Sequence, residues 1–162
     1  AEQAVMACRY PPLGNRSFGP TRGALYGGRG YALEANDQIA CIAMIETAEG
    51  IANADEIMST SGLNGIYIGL ADLALSMGLP AMGDQPQDEH LVVVKELLEK
   101  CKAHKIAAGI HTSSLEYAQK YLALGFNFVT LGSESGHMAK NAARELAAAR
   151  GTAEAKREST GY

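Results

Sequence analysis

Two carboxylates draw notice by where they fall. Glu46 closes an apolar run in Ile45-Glu46-Thr47, and Asp72 lies three residues beyond a second run, Ile66-Tyr67-Ile68-Gly69. If both runs are parallel strands, reactive groups gather at their carboxyl ends, and Glu46 and Asp72 share that end on neighbouring strands. Two carboxylates one strand apart, with Gly69 letting backbone come close, suit a hard divalent cation. Mg²⁺ takes one or two carboxylates and completes its octahedron with water and substrate oxygens. The structural alternative has Glu46 bonding the start of the next helix and Asp72 capping a short turn over residues 73–77. Spacing alone leaves both open. His111-Thr112 and Gly132-Ser133-Glu134 close two further runs. His111 either faces the same site or is a partly buried polar residue bonded to a neighbouring strand. Gly132-Ser133-Glu134-Ser135 has the outline of an anion-binding turn at a helix N-terminus, but Glu134 would repel an anion, and simple capping is the better reading. His90, His104 and His137 fall within helical segments and read as surface residues.

The elements that must position these groups follow from periodicity. Near-continuous apolar runs at residues 39–45, 65–69, 106–110 and 126–131 predict parallel strands covered by helices. Helical stripes lie between them. Leu91, Val94, Leu98 and Cys101 follow a 3-4-3 spacing behind Pro86, and Met138, Ala142, Leu146 and Ala149 share a face that Gly151 ends. Ser113 and Glu116 have capping-box spacing, and Gly125 closes that helix. The opening residues already read as the inside of a helix, with no N-cap and no initiator Met, as if the chain were cut. Residues 9–31, rich in Gly, Pro and Arg, make a long loop of the kind that is functional rather than connective. Alternating strands and helices imply an α/β parallel sheet, either small and open or half of an eight-unit barrel. Residues 1–151 form the domain, and the polar residues 152–162 read as a disordered tail.

Composition narrows the classes. The 162 residues are 47% hydrophobic and 20% charged, which is globular and sufficient for one core. A formal net charge of -4 lacks the basic footprint of nucleic-acid binding. No apolar run approaches the roughly 18 residues of a membrane span, and no signal peptide opens the chain. Cys8, Cys41 and Cys101 are odd in number, far apart and free of any C-x-x-C pair. They read as reduced thiols of a cytoplasmic protein rather than as a zinc site.

Three segments in register resemble the HpcH/HpaI aldolase family. They are Arg9-Tyr10-Pro11-Pro12-Leu13-Gly14, Ile45-Glu46-Thr47, and Gly65-Ile66-Tyr67-Ile68-Gly69-Leu70-Ala71-Asp72-Leu73 with Met77-Gly78. The family patterns are roughly RYPPxGxRG, IET or IES, and G(V/I)xGPADLxxxMG, and the likeness runs from about residue 1 to 151. The resemblance implies a (β/α)₈ TIM-type barrel of which this chain supplies about the last four β/α units. It also implies a Mg²⁺, Mn²⁺ or Co²⁺ cofactor on Glu46 and Asp72, and a pyruvate-like 2-oxo acid whose enolate is formed as a C–C bond is made or broken. Ala71 and Asp72 would contact the substrate carboxylate. Arg16 matches the family's loop arginine and is a substrate-binding candidate; Arg9, Arg22 and Arg29 read as solvated loop residues. The chain departs from the pattern at Met44, where the family has Gln, and at Leu70, where it has Pro. The family's catalytic Arg and His–Asp pair come from strands that precede this segment, so no catalytic residue is assigned here. The expectation is a 2-oxo-acid aldolase that is inactive without an N-terminal half. An oxaloacetate-type decarboxylase on the same metal site and a non-catalytic half-barrel module are the rivals. Its expected partners are an aldehyde and either a complementing half or a second copy, since family members assemble through the last helix, here about residues 135–150. Ile42, Met44, Ile66 and Ile68 are expected to include residues of the apolar inner face of the sheet.

Overall fold

The computed structural model of the chain describes residues 1–151. Four strands, β1 (Ile42–Ile45), β2 (Gly65–Ile68), β3 (Ala107–Thr112) and β4 (Phe128–Leu131), are all parallel and pair in chain order β1-β2-β3-β4. Helices lie between them: α4 (Ala48–Ala52) and α5 (Ala54–Met58) after β1, α6 (Leu70–Ser76) and α7 (Asp88–His104) after β2, α8 (Leu115–Leu124) after β3, and α9 (Glu134–Ala149) after β4. Before the sheet come α1 (Glu2–Cys8), α2 (Thr21–Gly27) and α3 (Tyr31–Gln38). This is the α/β alternation expected from the sequence, and consecutive units without a strand exchange are the order found along a (β/α)₈ barrel.

Side-chain alternation divides the sheet into two faces. Ile45, Ile66, Ile68, Ala108 and Ile110 point to one side, where they join Leu73, Val94, Leu97, Leu98, Cys101 and Tyr121 in the buried core. Ile42, Met44, Glu46, Tyr67, His111 and Thr130 have the opposite parity, and Ile42 and Met44 are exposed. The four candidates for the inner face divide between the two sides of the sheet. Ile42 and Met44 lie on the open side, but Ile66 and Ile68 pack under the helices, because Ile42 pairs with Gly65 and the pleat sends Ile66 the other way.

β1, β3 and β4 begin later than the apolar runs suggest, and β2 begins where its run does. Residues 39–41 are held largely by side-chain hydrogen bonds, beside one backbone bond from the Asn64 amide to the Cys41 carbonyl at 2.8 Å. The Arg9 guanidinium donates to the Ile39 and Gly62 carbonyls and to Asn64 Oδ1, at 2.7, 3.2 and 3.0 Å. Asn64 Oδ1 also accepts from the Cys41 amide at 2.7 Å, and Asn127 Oδ1 accepts from the Ala108 amide at 2.8 Å. Arg9 is buried, so its reading as a solvated loop residue is wrong: it satisfies carbonyls that would otherwise be stranded at the amino ends of two strands. The long loop is also more ordered than expected, since it contains α2 and the start of α3. Ser114, not Ser113, caps α8, accepting from the Tyr117 amide. His90 is fully buried on the same face of α7 as Val94, Leu97 and Cys101, against the expectation of a surface residue. The tail, residues 152–162, lies outside the described residues. Among the described residues no helix is long and apolar enough to cross a membrane.

Candidate functional site

Glu46 follows the last residue of β1, and Gly69 follows the last residue of β2 directly beside it, its amide donating to the Ile45 carbonyl at 3.3 Å. Gly69 has an extended backbone and serves as the N-cap position of α6. A Cβ built there would stand 2.6 Å from Glu46 Oε2 and 3.0 Å from Glu46 Cβ. The half-buried Glu46 carboxylate thus occupies the space that the glycine leaves, at the amino end of α6. Asp72 is the third residue of that helix and is exposed in its first turn. The first-turn amides of Leu70, Ala71 and Asp72 have no acceptor within the helix.

Neither carboxylate behaves as the structural alternative requires. α4 is capped by Thr47, whose hydroxyl accepts from the Gly50 amide at 3.0 Å, and not by Glu46. Asp72 sits inside α6 rather than ahead of it. Among the described residues neither carboxylate has an ion pair or a hydrogen bond. No group of three or more His, Cys, Asp and Glu able to hold a metal occurs among them either. What remains is two hard oxygen donors without a protein cation, a set that fits a divalent ion finishing its shell with water and substrate.

Arg16 is placed elsewhere. Its guanidinium lies 4.6 Å over the Tyr10 ring and donates to Tyr31 Oη at 3.0 Å. That hydrogen bond raises its pKa further. Its contacts are with the loop and α3, and none reaches Glu46 or Asp72.

The open face carries a cluster that the sequence did not single out. Gly109 allows the Phe128 ring to lie across β3, since a Cβ there would fall 2.0 Å from that ring. Tyr67 stacks on Phe128 at a centroid distance of 5.7 Å and an interplanar angle of 12°. The Tyr67 hydroxyl meets His111 Nδ1 at 3.0 Å and Thr130 Oγ1 at 2.7 Å, and Thr130 Oγ1 meets His111 Nδ1 at 2.8 Å. Of the two readings of His111, the bond to a neighbouring strand is present, and the ring also stands on the side that carries Glu46. The three residues are 19 to 63 positions apart, so only the register could have revealed them. At β4 the Ser133 hydroxyl accepts from the Gly136 amide at 3.2 Å, the simple capping expected there. His137 is exposed and its Nε2 donates to the Leu131 carbonyl at 2.8 Å.

His90 bears on the site from beneath. Its Nε2 lies 3.2 Å from the Leu70 carbonyl, in the turn that carries Asp72, while Nδ1 is buried without a partner. Burial lowers its pKa, against a smaller opposing effect of the Leu70 hydrogen bond, so the ring is held neutral.

Known proteins share the sequence pattern and the fold. Residues 1–141 match the model of the HpcH/HpaI aldolase/citrate lyase family. A hydroxypyruvate/pyruvate aldolase of Rhizorhabdus wittichii is 37% identical over 93% of this chain and 60% of its own. A 2-keto-3-deoxy-L-rhamnonate aldolase of Klebsiella pneumoniae is 32% identical over 100% of this chain and 61% of its own. Among solved structures, an HpcH/HpaI aldolase/citrate lyase family protein of Burkholderia cenocepacia superposes with a TM-score of 0.78 at 28% identity, covering 90% of this chain and 58% of that one. The citrate synthase SbnG gives 0.75 at 31% identity, covering 93% and 58%. The chain therefore spans about three fifths of the length of these relatives.

Proposed function

The chain belongs to the HpcH/HpaI aldolase/citrate lyase family, and on that premise we propose that it serves a metal-dependent aldolase making or breaking a C–C bond in a pyruvate-like 2-oxo acid. The observation that carries this reading is the Glu46 carboxylate, lodged where Gly69 lacks a Cβ and without a cation of its own. Glu46 and Asp72 would hold the ion, Mg²⁺ or a similar hard cation. Bound there, it supplies a Lewis acid for the negative charge that develops on the 2-oxo oxygen. The chain's own part is positional. Gly69 keeps the Glu46 carboxylate against the start of α6, and the free amides of Ala71 and Asp72 in its first turn suit the substrate carboxylate. His90 holds the Leu70 carbonyl of the same turn. Arg16 remains a substrate-binding candidate only if it leaves its seat on Tyr10 and Tyr31.

We place the protein in the cytoplasm, a reading supported by the free thiols of Cys8, Cys41 and Cys101. Exposed Ile42 and Met44 on the open face, and Met138 and Leu146 on α9, support burial against further polypeptide, whether more of the same protein or a second copy. The test is Mn²⁺ titration, with pyruvate–aldehyde turnover measured on the chain joined to its complementing N-terminal half. Glu46→Gln and Asp72→Asn should each weaken Mn²⁺ binding at least about tenfold and abolish turnover. Retention of full Mn²⁺ affinity by both variants would overturn the reading. Oxaloacetate decarboxylation without any aldol reaction would select the decarboxylase in its place.

A further inference from the structure

Tyr67, His111 and Thr130 form a closed triangle on the open face of the sheet, with edges of 2.7, 2.8 and 3.0 Å. Its backing is rigid, because Tyr67 is stacked on Phe128, and Phe128 lies in the gap left by Gly109. One tautomer keeps every hydroxyl proton inside the triangle. The two hydroxyls bring two protons. If Tyr67 donates to Thr130 and Thr130 donates to His111 Nδ1, both are used inside the triangle. A proton on Nδ1 would leave one hydroxyl proton with no acceptor there. In that arrangement Nδ1 accepts and Nε2 carries the ring proton, which has no partner among the described residues.

Register places that proton near the proposed metal site. Ile45 pairs with Ile68 and Ile68 with Ile110, so Glu46, Gly69 and His111 occupy one row across three strands. Glu46 and His111 are two strand spacings apart, about 10 Å between backbones, a gap that a carboxylate, a cation and a short 2-oxo acid span. His111 also lines a cavity of about 170 Å³ with Ser113, Gly132, Ser133 and His137, open space at the rim for a small second reactant.

We propose that His111 is the hydrogen-bond donor to the aldehyde oxygen of the aldol reaction, with Tyr67 and Thr130 as its positioning residues; the assignment rests on the aldolase reading above. An aldehyde oxygen accepts and cannot donate, so it needs the Nε2–H that the triangle leaves free. In the addition direction, C3 of the enolised 2-oxo acid bonds to the aldehyde carbon. The aldehyde π pair moves onto oxygen, where Nε2–H stabilises the charge until a proton from water neutralises it. Donors aimed at a developing oxyanion act in the transition state more than in the ground state.

The experiment separates the two halves of the chemistry in the intact purified protein. Pyruvate methyl exchange with deuterated water, followed by NMR, needs the metal-site half alone, whereas aldol addition needs the aldehyde half as well. His111→Leu should lower kcat/KM for aldol addition about 100-fold, and lower exchange at least about tenfold less than that. His111→Gln, which keeps an N–H near the Nε2 position, should recover part of the loss. Tyr67→Phe and Thr130→Val should show the same bias towards the aldol step. The ¹⁵N spectrum of the neutral protein should show His111 protonated on Nε2. Equal losses in exchange and addition, no loss in either, or a proton on Nδ1 would each overturn the assignment. If the wild-type chain joined to its complementing N-terminal half performs neither reaction, the aldolase reading fails first and this assignment falls with it.

Discussion

Substituting Gly69 by Ala tests the site through a single methyl group. The backbone at Gly69, φ -88° and ψ 91°, is open to any residue, so Ala brings no strain of its own. Its Cβ would stand 2.6 Å from Glu46 Oε2, whereas ordinary contact begins at 3.4 Å. The carboxylate must therefore retreat by about 0.8 Å, well beyond the roughly 0.2 Å that metal–ligand distances tolerate. Stability should hardly change. The displaced atom is the end of a flexible side chain, and Gly→Ala contributes about 0.4–1 kcal/mol by restricting the unfolded chain, which offsets the tighter 3.0 Å approach to Glu46 Cβ. Metal affinity should fall about 10- to 100-fold, the usual cost of misplacing a ligand's support, or ~1.4–2.8 kcal/mol. Calorimetric titration with Mn²⁺ gives the affinity, and a thermal melt without metal gives the stability. Unchanged Mn²⁺ affinity would refute the claim that the glycine exists to seat this carboxylate. A collapse of stability would show instead that the glycine serves packing alone.

Two further outcomes concern the frame. Arg9→Ala should destabilise by about 2–4 kcal/mol in urea unfolding, because it strands the Ile39 and Gly62 carbonyls that the guanidinium satisfies. His90 has a pKa below its ordinary 6.5 in the folded state. The unfolded chain therefore binds the extra proton first, and stability should fall as pH drops below about 6.5 towards the folded value. His90→Val should flatten that part of the wild-type profile, while a parallel slope in both proteins would assign it to other groups.

Local patterns announced the elements and the carboxylates, and pairing between distant strands hid the rest. Glu46 and Asp72 were legible because each follows a bounded apolar run, and the ends of parallel strands are where such groups meet. The burial of His90 was legible in principle: it sits four residues before Val94 on the same stripe, but as a polar residue it was read as surface. The orientation of Ile66 and Ile68 was not legible, since a pleat inverts with a one-residue change of register. The Tyr67–His111–Thr130 triangle joins residues 19 to 63 positions apart, and nothing short of the ladder pairs them. Asn64 and Asn127 left a faint trace, each standing just ahead of a strand in an apolar setting, and their role as bridges needs the neighbouring strand to be seen.

The clamp made by Arg9 and Asn64 has a consequence for how such a protein can change. It fixes the height of β1 against β2 at their amino ends, far along the strands from Glu46 and Gly69. Strand registry and reactive surface are thus under separate genetic control. Exposed rim positions 48, 49, 113, 131 and 134 can be sampled broadly while the clamp preserves the foldable background, so a mutational library confined to them should yield altered substrate range with few unfolded members. The same number of changes spread over residues 9, 39, 62, 64 and 127 should yield mostly unfolded ones. Evolvability in this chain resides at one rim because heritable rigidity resides at the other.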